Sequence, residues 1–135
     1  MNLQDMTKFF GKAPYGFLAT ADGDQPRVRP LMAPVERNGK LWFCTANTKP
    51  LYRQLQVNPR LEFSATSSEM ITIRIEAKAA FSEDREMKVY FLDNFPLVRQ
   101  IYGSPDNPAF AVFSLEEVRG VTFALDDKPP VAFTL

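Results

Sequence analysis

The sequence predicts a mainly β chain, an antiparallel sheet closing into a small barrel with helices covering its ends. Three observations carry this reading. Short runs rich in β-branched and aromatic residues recur along the chain. Most consecutive runs are joined by short turns, and Asn38-Gly39 is a strong two-residue hairpin signal. At 135 residues and 45% hydrophobic, the chain suits a single domain over residues 1–135 with a real core.

Leu3, Met6, Phe9 and Phe10 fall at helical spacing and predict a short amphipathic helix ending near Gly11. YGFLATA (15–21) reads as a strand and DGDQ (22–25) as its turn. Residues 26–36 form the second strand, with Pro30 and Pro34 placing it at an edge or beside a bulge. KLWFCT (40–45) returns after the Asn38-Gly39 turn. TKPLYRQLQVNP (48–59) is helical, with Pro50 in the first turn, Leu51 and Leu55 on the apolar face and Asn58-Pro59 as the stop. RLEFSAT (60–66) and MITIRIEAKAAF (70–81) are strands. A helix over 83–93 follows, opened by Ser82 and closed ahead of Pro96. Strands at 109–115, 118–125 and 131–135 complete the chain.

Sixteen basic residues balance sixteen acidic ones, so no global field marks the chain as a nucleic-acid or membrane binder. The first residues lack a signal peptide's apolar core, and no run approaches the roughly twenty apolar residues of a membrane span; a cytoplasmic location is expected. Cys44 is the only cysteine and histidine is absent. That removes disulfides, cysteine-cluster metals and histidine-based triads, and no carboxylate spacing favours another metal site. Cys44 is expected to be a small buried residue rather than a nucleophile.

The distinctive feature is QPRVRPL (25–31), whose Arg27 and Arg29 share one face of an extended strand. Continuing the hairpin register back from Arg37 opposite Lys40 sets Arg29 opposite Thr48 and Arg27 opposite Pro50, where the next helix begins. Helix amides and Lys49 would join the two arginines there, with the hydroxyls of Thr45 or Thr48, around a phosphate dianion. A charged edge that blocks aggregation is the alternative. Trp42 and Phe43 point to opposite faces, with core packing the expected role of each.

PRVRPL on one strand, the Asn-Gly turn, LWFCT on the next and NTKPLYRQLQVNPRLEFS after it together resemble the FMN-binding split β-barrel proteins related to pyridoxamine 5′-phosphate oxidase. The resemblance covers nearly the whole chain. It implies an antiparallel split β-barrel of the flavin-binding type, a homodimer with the flavin at the subunit interface, and Arg27 and Lys49 as phosphate ligands. The implied cofactor-binding set is Arg27, Val28, Arg29, Pro30 and Leu31 on the first strand, with Cys44, Thr45, Asn47, Thr48 and Lys49 on and after the second, partly through backbone groups. Pyridoxamine phosphate oxidases carry a further C-terminal segment rich in arginine and tryptophan, with a histidine, whereas this sequence ends at KPPVAFTL. Related nitroimidazole-resistance reductases are described with a histidine near the active site, which has no counterpart here. The resemblance therefore implies an FMN-dependent oxidoreductase acting on an unidentified small molecule, with NADH or NADPH as possible donor. The alternative is a non-catalytic carrier of flavin or haem, and a deazaflavin could replace FMN. YFLDNFP and AFAVFSL are read as core or as partner surface. With no histidine, any activity is expected to vary little between about pH 6 and 8.

Overall fold

The computed structural model describes all residues from Met1 to Leu135. Helix α1 (Leu3–Lys12) starts at a capping box in which Asn2 and Asp5 bond to each other's backbone N–H, and it buries Met6 and Phe10. Strands β1 (Tyr15–Asp22) and β2 (Gln25–Met32) form a hairpin, followed by β3 (Val35–Arg37) and β4 (Lys40–Ala46). Asn38 and Gly39 turn the second hairpin with φ of 55° and 76°, the left-handed pair that a two-residue turn needs. Helix α2 (Pro50–Val57) precedes β5 (Arg60–Thr66) and β6 (Ile71–Ser82). Helices α3 (Arg85–Asn94) and α4 (Pro96–Tyr102), then β7 (Phe110–Ala124) and β8 (Val131–Thr134), complete the chain.

Four expectations change. The strand expected over 26–36 is two strands: Ala33 N–H still donates to Pro14 O, one rung beyond the β1–β2 pairs, and the chain leaves that ladder at Pro34 before β3 begins. Pro96 does follow the helix after β6, but it also opens a helix absent from the sequence reading, since proline suits the first helical turn. The two strands expected at 109–115 and 118–125 are one. Glu117, with φ of 53°, absorbs an irregularity where the register shifts between Glu76 and Lys78, and β7 continues through it. Asp84, rather than Ser82, caps α3 through its side chain, and Ser82 Oγ in turn accepts from Asp84 N–H.

The sheet is antiparallel, ordered β2-β1-β5-β6-β7-β4-β3, with β8 on β7. Its path is open between β2 and β3, so the barrel is split rather than closed. Prolines explain the opening. Pro26 and Pro30 sit opposite Ala21 and Phe17, in pairs whose backbone groups turn away from β1, and neither offers an N–H to a further strand. Inside the barrel lies a cluster of 19 buried residues to which α1 gives Met6 and Phe10 and α2 gives Leu51 and Leu55. Outside β4 and β7, α3 and α4 cover a second cluster of seven that includes Trp42, Phe91 and Phe110. Phe43 and Trp42 thus face opposite cores, both buried. Most large apolar residues of YFLDNFP and AFAVFSL are core: Phe91, Leu92, Phe110, Val112, Phe113 and Leu115 are all buried.

Candidate functional site

The split sets two unpaired strand edges at the only gap in the barrel. Strand β2 is bonded on one side alone, to β1. Strand β4 pairs with β7 from Trp42 to Ala46, but β3 covers its other edge only up to Trp42. Antiparallel alternation turns the backbone N–H and C=O of Val28, the C=O of Pro30, and both groups of Cys44 toward these open edges. The candidate residues of both segments therefore flank one gap. The expected register between them does not exist: Arg37 pairs with Lys40 as read, but Arg29 lies opposite Leu18 and Arg27 opposite Thr20, both on β1. Extrapolation failed because β2 leaves the hairpin's line at Ala33-Pro34.

Arg29 still reaches the second helix, by another route. Its side chain crosses β1, where Nη1 donates to Thr20 Oγ1 at 2.7 Å and to Leu18 O at 3.3 Å, and Nη2 donates to Gln54 Oε1 on α2 at 2.7 Å. Thr20 Oγ1 in turn donates to Gln54 Oε1 at 2.6 Å, and both Thr20 and Gln54 are buried. No carboxylate pairs with this guanidinium, whereas Arg27 is ion-paired to Asp22 at 3.3 Å. Burial and then the neighbouring Arg27 charge both lower the Arg29 pKa.

Lys49 is the N-cap of α2, with no side-chain cap, no acidic residue in the first turn and no ion pair. Its exposed ammonium therefore stands at the positive end of an uncompensated helix dipole. Thr48 is exposed beside it, and Asn47 is tied to the loop before β7 by Nδ2–H to Pro108 O at 2.8 Å. Leu31 packs on the inner core. Thr45 points the same way as Leu41 and Phe43, into the barrel, and its Oγ1 is a buried side-chain atom without a hydrogen-bond partner. Thr45→Val, which keeps the shape, should stabilise the ligand-free protein by about 1 kcal/mol because an unmatched buried hydroxyl is removed. Urea denaturation checks this; a loss of stability would mean that the hydroxyl is bonded.

Cys44 faces the outer cluster near Tyr102, whose ring stacks on Phe110 at 4.3 Å between centroids. Burial pushes the Cys44 thiol up to about 12, outweighing the lowering influence of Lys49 and of the Cys44 backbone. Burial, and then Cys44, push the Tyr102 phenol up to about 12 as well. A thiol held neutral in the fold contributes stability that is complete below its ordinary pKa of 9.0 and is lost as pH rises from there toward 12. Urea midpoints between about pH 8 and 10 should therefore fall, and Cys44→Ala should flatten part of that decline. Alkylation of Cys44 in the native protein near neutrality should be slow.

The five main cavities hold about 340 to 510 Å³ each, and none is lined by Arg27, Arg29 or Lys49. Asn47 lines the one between α3 and the loop before β7. No group of three or more metal-ligating side chains is present. No helix is long and apolar enough to cross a membrane.

Known proteins match this architecture. A NimC/NimA family protein from Clostridium acetobutylicum is 32% identical, with a TM-score of 0.90 over 98% of this chain and 93% of that one. A pyridoxamine 5′-phosphate oxidase-related, FMN-binding protein from Nostoc punctiforme shares the fold at 14% identity, with a TM-score of 0.70 over 98% and 93% of the two chains. An F420 reductase shares it at 18% identity, with a TM-score of 0.59 over 78% of this chain and 87% of that one. No curated protein matches. The pyridoxamine 5′-phosphate oxidase family model matches residues 3–122, and with nearly the whole split barrel inside that match the chain belongs to this family.

Proposed function

We propose that the chain is an FMN-dependent oxidoreductase of small molecules, working as a homodimer with the flavin at the split between β2 and β4. One observation carries the reading: Arg29 is a partly buried guanidinium that is held in place by neutral acceptors and lacks a counter-ion at the open edge of the barrel. A phosphate supplies that counter-ion. Arg29 and Lys49 bind it, with Arg27 adding charge beside them, and the open-edge backbone groups of Val28, Pro30 and Cys44 meet the ring system. Bound FMN supplies the hydride and one-electron chemistry, and NADH or NADPH the electrons. Val28, at the β2 edge, is 69% exposed in the single chain, and on the same outer face Tyr15 and Phe17 are 63% and 58% exposed. None of the five main cavities is lined by Arg27, Arg29 or Lys49, and a large flat ring on an open strand edge needs a second copy to cover it. A cytoplasmic setting, with its nicotinamide donors, suits this chemistry.

The absorption spectrum of the purified protein and the mass of any ligand released from it test the reading. FMN is expected; F420 would identify a deazaflavin enzyme, and a colourless protein that FMN does not load would contradict the assignment. Lys49→Ala should weaken FMN binding by about 1 to 3 kcal/mol and leave riboflavin, which lacks the phosphate, nearly indifferent. Equal losses for both ligands would assign Lys49 to the fold or the ring.

A flavin carrier without turnover is the second reading. It is favoured by the two groups beside the split whose pKa burial raises, Cys44 and Tyr102, both near 12 and unsuited to proton transfer at neutral pH. Flavin-dependent oxidation of NADH or NADPH with a range of acceptors separates the two. Where activity is found, its rate on a non-titrating substrate should change little between about pH 6 and 8.

A further inference from the structure

We propose that Gln54 and Thr20 are positioning residues that aim Arg29 at a phosphate and, by being neutral, leave its charge for that ligand. The inference rests on the proposed phosphate site, but the bonding around Arg29 carries it. A guanidinium has five N–H donors. Three of them are taken within the chain: Nη1 gives one to Thr20 Oγ1 and one to Leu18 O, and Nη2 gives one to Gln54 Oε1. The two left over, on Nε and Nη2, lie along one edge of the plane. That edge is the fork that binds a phosphate or carboxylate bidentately.

The identity of the acceptor is the telling feature. Gln54 is buried, and both of its hydrogen bonds use Oε1 as acceptor, one from Thr20 and one from Arg29. A glutamate would accept both bonds equally well. It would also neutralise Arg29 and leave little attraction for an outside anion. Glutamine therefore gives the geometry of an ion pair without its charge. Thr20 fixes the arrangement from the other side, since its hydroxyl accepts from Arg29 at 2.7 Å and donates to Gln54 at 2.6 Å. Without these two anchors the long arginine side chain would lose rotamer freedom on binding, at the expense of affinity.

The experiment measures the affinities of FMN and riboflavin, together with the thermal midpoint in inorganic phosphate, for wild type, Gln54→Glu and Thr20→Val. Wild type should prefer FMN strongly. Gln54→Glu should cut that preference at least tenfold while riboflavin affinity holds, and phosphate should no longer raise its midpoint. Thr20→Val, which loses one neutral anchor, should cut the preference roughly threefold, and it keeps the test valid if Gln54→Glu does not fold. A wild-type preference for FMN that both variants retain in full overturns the inference and leaves the flavin assignment standing. Equal losses of FMN and riboflavin overturn it too, by assigning the pair to the fold. Should wild type bind neither flavin, a midpoint raised by phosphate in wild type but not in Gln54→Glu upholds the inference while the flavin assignment falls. No response to phosphate or to either flavin ends both.

Discussion

Arg29→Ala should weaken FMN binding by about 3 kcal/mol, roughly two orders of magnitude, because charge-assisted bonds to one phosphate are lost together. Riboflavin should bind the variant nearly as well as wild type. The fold should tolerate the change, since Thr20 and Gln54 remain bonded to each other at 2.6 Å. Arg29→Lys retains the charge but not the fork, and a single ammonium cannot bond to Thr20, Gln54 and a phosphate in the same planar array. It should recover only part of the loss. Fluorescence titration with the two flavins reads both variants, and full retention of FMN affinity by Arg29→Ala would remove the phosphate from this end of the split.

Phe43→Ala should destabilise the protein by about 4 kcal/mol, a substantial fraction of the stability of an ordinary domain. Phe43 is 1% exposed and stands in the middle of an aromatic chain through the barrel. Its ring meets Phe63 at 5.2 Å and Phe113 at 5.4 Å between centroids. Phe63 continues the chain to Phe10 on α1 at 6.0 Å, while Phe113 continues through Phe81 to Tyr52 on α2. Removing the central ring breaks the aromatic chain that links both helices through the core, so α2, which begins after Lys49 and carries Gln54, should loosen as well. Urea denaturation measures the loss. A cost under about 1 kcal/mol would mean that the barrel collapses to fill the space.

Local chemistry made much of this fold legible. Asn38-Gly39 gave both the turn and the Arg37–Lys40 pair, and Pro50 with Asn58 bounded α2 to within two residues of its observed span. The single cysteine, read as buried rather than reactive, is only partly buried, and its thiol is pushed up to about 12. What failed needed three-dimensional information. Pro96 closes one helix and opens another, and a single proline signals both. The break at Ala33-Pro34 decides whether β2 prolongs β3 beside β4 or swings away, and only the competing ladder with β1 settles that. Arg27 and Arg29 look alike in QPRVRPL, yet one lies in an exposed ion pair with Asp22 while the other is locked to α2. Gln54 carried no signal at all, because a polar residue in an amphipathic helix reads as solvated until the packing of α2 on β1 buries it. The family resemblance pointed to the two segments that flank the split; the bonding of each side chain within them came from the structure.

The central claim is that FMN binds at the split of a paired barrel and that its phosphate is held there. Native mass spectrometry of the protein incubated with FMN, and separately with riboflavin, tests it most directly. The expected result is a dimer that carries FMN and retains riboflavin poorly, with free monomer carrying neither. A monomer that holds FMN as tightly as the dimer, or a dimer that holds the two flavins equally, would contradict the account.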